Sequence, residues 1–181
     1  LNNIFNIMKI IKTKIKDLLI IKKETYKDNR GYLRELYKEK TLSKKFIFEI
    51  LSNSKKNVIR GLHLQTNNSQ GKYVSVLKGK AFDVAVDLRK NSKTFGQHVS
   101  IILSAKHNIS FYIPAGFAHG FCALEKDTIM HYKCTKYRDA KSELGIIWND
   151  PKLNIKWPIK KPIISKKDKK NISFEEYLND F

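Results

Sequence analysis

Apolar and polar residues alternate through the middle of the chain, and this alternation predicts a series of short strands. The clearest example is AFDVAVDLR (residues 81–89), where alternate side chains form two sets on opposite faces. The apolar set is Phe82, Val84, Val86 and Leu88, and the other set is Asp83, Ala85, Asp87 and Arg89. A preceding run, KYVSVLK, is joined to this segment through Lys78-Gly79-Lys80, and two runs around such a turn predict a β-hairpin.

Three further segments, HVSIILS, ISFYIP and TIMHYKCTKY, also predict short strands with turn residues between them. Closely spaced short strands are typical of a β-sandwich or barrel. Helical periodicity is scarce, although Ser173 and Glu176 form a capping-box pattern that predicts a short C-terminal helix. Because no repeat or linker is evident, we expect a single domain over residues 1–181, with residues 1–7 a disordered or non-native extension before Met8.

The segment VIRGLHLQ (residues 58–65) has the composition of a buried strand but contains Arg60 and His63. In a regular strand, residues an odd number apart point to opposite faces. Gly61 lies between them, and glycine inside a strand often marks a bulge, which adds one residue and resets the alternation. We therefore expect Arg60 and His63 to share one face. The alternative is that Arg60 extends into solvent while His63 belongs to the core.

The formal net charge of +19 raises the question of nucleic-acid binding, but the composition argues against it. The chain has 31 Lys and only 5 Arg, and the lysines are spread along its whole length. Arginine is the residue that makes bidentate phosphate and base contacts. We expect no nucleic-acid partner; the positive field could still attract an anionic substrate.

The N-terminal stretch is apolar in patches, but lysines interrupt it well short of the ~18 apolar residues of a membrane span. It also has no small-residue cleavage site of a signal peptide, so we expect a cytoplasmic protein without a membrane partner. The two cysteines, Cys122 and Cys134, could form one disulfide, but a single pair is not a disulfide framework and a reduced setting is favoured. No His-x-His or Cys-x-x-Cys pattern occurs, and Gln65 stands two residues after His63, so we expect no metal site.

Two of the five histidines, His63 and His119, lie in apolar segments beside glycine and are therefore candidates for chemistry. The stretch from residue 156 to residue 170 contains two prolines and seven lysines and is expected to run over the surface. Asp168 lies in it, and its spacing alone predicts an exposed residue.

Several segments taken together resemble one family. They are DNRGYLREL (28–36), SNSKKNVIRGLHLQ (52–65), QGKYVSVLKGKAFDVAVDLRKNSKTFG (70–96), YIPAGFAHGF (112–121), YKCTKY (132–137) and GIIWNDPKLNIKWP (145–158). Their order and content resemble dTDP-4-dehydrorhamnose 3,5-epimerase and related dTDP-sugar epimerases. The resemblance runs from about Met8 to Asp168. It implies a mainly β, cupin-type double-stranded β-helix (jelly roll) with short peripheral helices.

The resemblance also implies roles for residues of this chain. His63 matches the catalytic base, Asp168 the acid that pairs with it, and Tyr132 the proton donor on the opposite face of the sugar. Lys72 matches the residue best placed to stabilise the enolate. The matched substrate-binding residues are Arg60, His119, Arg30, Glu35 and Glu143. The implied enzyme is an isomerase without cofactor or metal that inverts C3 and C5 of a nucleotide-linked 4-keto-6-deoxy sugar. The implied partner is a second copy in a homodimer that exchanges N-terminal segments.

The chain departs from the family pattern where the nucleotide base is bound. Phe48 and Ile50 occupy positions where the family usually has a Gln and an Asn that contact the base, and Leu33 replaces an aromatic residue. The identity of the nucleotide therefore stays open. The alternatives are a single-site epimerase acting at C3 or C5 alone on another NDP-4-keto sugar, or a cupin that binds a sugar nucleotide without turnover.

Overall fold

The computed structural model describes residues 8–181, so the expectation for residues 1–7 lies outside the described part of the chain. Thirteen strands and two short helices are found there. The strands are β1 (Lys9–Lys12), β2 (Leu19–Lys22), β3 (Tyr26–Asp28), β4 (Gly31–Leu33), β5 (Phe48–Ser54), β6 (Ile59–Gln65), β7 (Lys72–Lys78), β8 (Lys80–Asp87), β9 (His98–Ser104), β10 (Ile109–Ile113), β11 (Phe117–Ala123), β12 (Thr128–Cys134) and β13 (Glu143–Gly145). The helices are α1 (Glu39–Leu42) and α2 (Phe174–Asp180), and Asp168–Lys170 forms one 3-10 turn.

The strands form two main antiparallel sheets that face each other. The six-stranded sheet has the order β1-β2-β10-β7-β12-β5, and the five-stranded sheet has the order β13-β6-β11-β8-β9. The short strands β3 and β4 pair only with each other. This arrangement confirms the mainly β fold with short peripheral helices.

The predicted hairpin around Gly79 is wrong in its pairing. Both strands form, but β7 lies in the six-stranded sheet and β8 in the five-stranded sheet. Gly79 has a φ of +77°, and the chain crosses there from one sheet to the other. Because each strand has apolar residues for the space between the sheets, pairing in separate sheets buries more apolar surface than a free hairpin would.

The alternation of β8 is explained by two separate cores. Val84, Val86 and Leu88 lie in a cluster on the outer side of the five-stranded sheet, where Phe174 of α2 covers them. Ala85 points the other way, into the cluster between the two sheets. Helix α2 begins with the predicted capping box of Ser173 and Glu176. Both faces predicted for this strand are therefore buried, the apolar face beneath α2 and the other face between the two sheets.

Candidate active site

The predicted bulge in β6 is confirmed by the register between β6 and β11. His63 lies opposite His119, and Arg60 lies opposite Phe121, so three steps along β6 face two steps along β11. The extra residue places Arg60 and His63 on one side of the strand, where both line a cleft of about 340 Å³. Arg60 is solvent-exposed, as the alternative expected, but it lines the same cleft as His63, and His63 is only partly buried and not a core residue.

Gly61 makes this bulge possible because its backbone lies against β11. Its φ is +121°, a conformation that L side chains rarely adopt. A Cβ at this position would lie 2.5 Å from Gly120 Cα and 2.7 Å from the His119 carbonyl oxygen. A pair of glycines, one on each strand, therefore permits the close approach that brings the two histidines together.

The cleft lies between the two sheets, and each sheet supplies one of its walls. Strands β6 and β11 of the five-stranded sheet contribute Arg60, His63 and His119. Strands β7 and β12 of the six-stranded sheet contribute Lys72 and Tyr132. The expected base and the expected proton donor thus face each other across the cleft.

His63 forms a dyad with Asp168, although 105 positions separate them in the chain. His63 Nε2 lies 2.8 Å from Asp168 Oδ1, and the Gly61 amide donates to Asp168 Oδ2 at 3.3 Å. Burial opposes ionisation of Asp168, but the hydrogen bonds from His63 and Gly61 outweigh it and lower the pKa of this carboxyl. The Asp168 carboxylate is buried, so the exposed position predicted from spacing alone is wrong.

His119 forms a second, more deeply buried dyad with Asp83. His119 Nε2 lies 2.9 Å and 3.0 Å from the two Asp83 carboxylate oxygens. Burial raises the pKa of Asp83, an effect that the nearby His119 and Lys72 reduce. This dyad lies behind the cleft and holds the His119 ring in place, with its centroid 6.0 Å from that of Tyr132.

Tyr132 and Lys72 complete the wall formed by the six-stranded sheet. Burial raises the pKa of the Tyr132 phenol well above its usual value, so this group stays protonated. Its oxygen lies 3.4 Å from Ser52 Oγ. Burial lowers the pKa of Lys72, while Cys134, Glu143 and Asp83 oppose this shift.

Glu143 lines the cleft but is held by two cations. Its carboxylate accepts two hydrogen bonds from Arg138, both 2.9 Å long, and one from Lys167 Nζ at 2.5 Å. The Arg138 hydrogen bond is the main reason that the pKa of Glu143 falls to about 2. Glu143 therefore stays charged and positions cations at the mouth of the cleft.

Arg30 and Glu35 do not lie in this cleft. Arg30 is on the turn between β3 and β4, its side chain is 85% exposed, and it pairs with Asp28. Glu35 pairs with Lys38 at 2.5 Å. Within one chain, the structure brings seven of the nine expected site residues together and leaves these two outside.

The structure also places residues in the cleft that the sequence analysis did not identify. Ser52 could have been found, because strand alternation on β5 puts it on the same side as Ile50. Arg138 and Lys167 lie in irregular segments, where no periodicity predicts which way a side chain points. Ile50 lines the cleft, and the Phe48 ring lies 5.9 Å from the ring of Tyr137.

Other features of the described residues bear on the expectations. Cys122 and Cys134 are free and buried. Among residues 8–181, no group of three or more His, Cys, Asp or Glu side chains is arranged to hold a metal ion. None of the helices in the same range has the length and apolarity needed to cross a membrane.

A jelly roll whose cleft has a histidine–aspartate dyad on one wall and a tyrosine phenol on the other has the arrangement expected of a cupin-type epimerase. The sequence profile of the dTDP-4-dehydrorhamnose 3,5-epimerase family matches residues 12–176. The chain belongs to this family.

Individual relatives agree with this assignment. The chain is 43% identical over 169 residues to the dTDP-4-dehydrorhamnose 3,5-epimerase of Methanothermobacter thermautotrophicus, covering 89% of this chain and 91% of that protein. It is 44% identical over 167 residues to that of Neisseria gonorrhoeae, where the match covers 89% of this chain and the chain spans only 51% of the relative's length. A Legionella pneumophila dTDP-6-deoxy-D-glucose-3,5-epimerase, solved in complex with dTDP-4-keto-L-rhamnose, superposes with a TM-score of 0.89 at 43% identity, covering 93% of each chain.

Proposed function

We propose that this protein inverts C3 and C5 of a dTDP-linked 4-keto-6-deoxy sugar, converting a dTDP-4-dehydro-6-deoxyglucose into a dTDP-4-dehydrorhamnose. The observation that carries this proposal is the placement of the His63–Asp168 dyad and Tyr132 on opposite walls of one cleft. Inversion at carbon requires that a proton leave from one face and return on the other. The family to which the chain belongs and the sugar nucleotide bound by the Legionella relative support the substrate class.

In this mechanism His63 acts as the base. The hydrogens on C3 and C5 are weakly acidic because each carbon is next to the C4 carbonyl. His63 takes such a proton, and the Asp168 carboxylate, kept ionised by its lowered pKa, fixes the imidazole orientation and stabilises the imidazolium. Tyr132 delivers a proton from the opposite wall, which is consistent with its staying protonated. Proton transfers alone change the configuration, so the reaction needs no redox cofactor.

The enolate oxygen that forms at C4 needs preorganised positive charge, which is usually the largest contribution to such catalysis. Lys72 and His119 lie on the two walls of the cleft and can both face that oxygen. The Asp83 carboxylate behind His119 fixes the ring and leaves its other nitrogen free for the substrate. We therefore assign stabilisation of the enolate oxygen to Lys72, with His119 assisting from the opposite wall.

The diphosphate of the substrate is assigned to the cations at the mouth of the cleft. Arg60 is held by Ser54 Oγ at 3.0 Å and by the Asn53 carbonyl at 3.2 Å, and it projects along the cleft wall. The surface beyond it is apolar, since Phe48, Ile50 and Tyr137 lie side by side there. These three side chains can stack on a nucleobase, but none of them carries an amide that could hydrogen-bond to it.

Arg30 and Glu35 are assigned to the nucleotide bound by a partner subunit. The β3–β4 hairpin exposes Tyr32 and Leu33, whose relative exposures are 62% and 64%. Large apolar side chains exposed next to each other on one short strand are typical of a surface covered by another chain. A homodimer in which this segment reaches the partner's cleft would cover them and supply Arg30.

Solvent exchange tests the proposal. The protein is incubated with dTDP-4-keto-6-deoxyglucose in D2O, and deuterium is located by NMR. We expect label at both C3 and C5. Label at one carbon only would establish a single-site epimerase, and measurable binding without any label would leave a sugar-nucleotide binding module. Parallel incubations with GDP- and CDP-linked 4-keto sugars would determine how strictly the base is selected.

A further inference from the structure

A second cavity, of about 190 Å³, lies apart from the candidate active site and shares none of its lining residues. Its polar and charged lining consists of Lys23, Tyr32, Arg34, Ser75 and Asn108. The remaining lining residues are apolar, and no aspartate or glutamate among the described residues lines it. The cavity thus has two cations and no protein counter-charge.

Lys23 is the first of these cations, and it is buried, with only 5% of its surface exposed. Its ammonium donates to Ser110 Oγ at 2.5 Å, to the Leu36 carbonyl at 3.0 Å and to the Tyr73 hydroxyl at 3.3 Å. All three acceptors are neutral oxygens. A buried ammonium without an anionic partner is costly, and here burial together with Arg34 lowers its pKa to about 8.

The hydroxyl groups of Ser110 and Ser75 link the Lys23 ammonium to the cavity wall through hydrogen bonds. An ammonium has no acceptor, so Ser110 Oγ must accept from Lys23. Ser110 Oγ lies 2.5 Å from Ser75 Oγ and can donate a hydrogen bond to it. Ser75 lines the cavity, and its hydroxyl proton is then free for an acceptor placed there.

Arg34 is the second cation, and its guanidinium is fixed at the cavity wall. It donates to Thr25 Oγ1 at 2.9 Å, to the Ala105 carbonyl and to the Lys106 carbonyl at 3.3 Å. It also lies 4.3 Å from the centre of the Tyr32 ring. Because a guanidinium has five N–H donors, two of them remain for a ligand.

We propose that this cavity binds a small inorganic oxyanion of the phosphate or sulfate class, held by hydrogen bonds from Arg34 and Ser75 and by the positive charge of Lys23 in the cavity wall. The ligand would supply the negative charge that the protein does not place there. It would also tie Arg34 to Ser75 on β7, and thereby hold Glu35 and the β3–β4 hairpin in position.

Titration with inorganic phosphate at constant ionic strength tests this site. Thermal unfolding and isothermal calorimetry are measured for the unmodified protein and for Lys23→Met. Lys22→Met is the matched control, because Lys22 is the neighbouring lysine and is exposed. We expect phosphate and sulfate to raise the melting temperature of the unmodified protein and of Lys22→Met. Loss of the Lys23 charge, and of the hydrogen bond that orients Ser110 and Ser75, should weaken binding to Lys23→Met about tenfold or more.

Phosphate could also bind at the substrate cleft, so Arg60→Gln is included as a second control. We expect this variant to keep the phosphate-dependent rise. A rise that persists in Lys23→Met but disappears in Arg60→Gln would overturn the proposal, as would an equal rise with sodium chloride at the same ionic strength. Ser75→Ala provides an independent variant if Lys23→Met does not fold, and it too should show weakened binding.

Discussion

His63 and His119 are each hydrogen-bonded to a carboxylate, but their side chains differ in solvent exposure. The His63 side chain is 34% exposed, whereas that of His119 is 5% exposed and its partner Asp83 is fully buried. A base must reach the substrate and exchange its proton with solvent between turnovers. This difference supports assigning proton abstraction to His63 and oxyanion support to His119.

At the scale of single residues, two substitutions should separate proton abstraction from proton delivery. His63→Ala removes the base, so we expect a loss of deuterium incorporation by about 10²-fold or more. Tyr132→Phe leaves the base in place, so we expect continued exchange at the abstracted positions with loss of net inversion. NMR of the sugar after incubation in D2O measures both quantities. Equal loss of exchange in the two variants would contradict the assignment of base and donor to opposite walls.

Lys23 should make the stability of the protein depend on pH. Its pKa is about 8 in the folded chain and 10.5 when exposed, so the unfolded chain binds more protons between these values. The stability of the unmodified protein should therefore rise with pH across this window, by up to ~3 kcal/mol. Urea unfolding in phosphate-free buffer from pH 7.5 to pH 10 measures this. Any stability advantage of Lys23→Met should shrink as pH rises, and a constant difference would contradict the burial of a charged lysine.

At the scale of the element, the bulge in β6 determines which face of the strand its side chains point to. An unbulged strand would put His63 and Arg60 on opposite faces, and the cleft would lose one of them. The bulge is stable because β11 presents Gly120 opposite it. The catalytic geometry is thus built into the backbone of two neighbouring strands.

Gly61→Ala tests this element directly. The new Cβ would meet the β11 backbone at 2.5 Å, and the φ of +121° would be strained as well. We expect a loss of about 3 kcal/mol or more in the free energy of unfolding, measured by urea denaturation. Gly71→Ala is the matched control, because its Cβ would first meet the Thr135 side chain at 3.2 Å. Similar losses in both variants would show that the close approach to β11 is not the decisive feature.

At the scale of the whole molecule, the cleft of one chain lacks two of the expected substrate contacts. Arg30 and Glu35 lie on an exposed segment outside it. The proposed exchange of this segment between subunits makes each site a product of two chains. Mixed dimers can therefore reveal the arrangement.

We expect activity when Arg30→Gln and His63→Ala proteins are unfolded and refolded together. In a mixed dimer, one site would combine the intact His63 of one chain with the intact Arg30 of the other. Random pairing should then restore roughly a quarter of the unmodified activity, measured as the rate of C3 and C5 exchange. Activity of the mixture no higher than the average of the two separate variants would show that Arg30 serves its own chain or no site.

The sequence by itself determined the strands, the bulge and the family. Alternation over a few residues is a local property, so β8, β9, β10 and β12 could be recognised from their own side chains, and a glycine between Arg60 and His63 was enough to predict the bulge. The capping box of α2 was predicted for the same reason.

Only the tertiary structure decided which strands pair and which distant residues meet. The chain crosses between sheets at Gly79, and Asp168 reaches His63 across 105 positions, because both depend on burying apolar faces that are contributed by the whole chain. The spacing of residues predicted neither feature, and the pairing of Asp168 with His63 was implied only by the family resemblance. The burial of Lys23 also depends on the tertiary structure. Its local sequence, a lysine next to another lysine, predicts a solvated side chain. Only the pairing of β2 with β10, and of β10 with β7, buries the Lys23 charge beside the cavity.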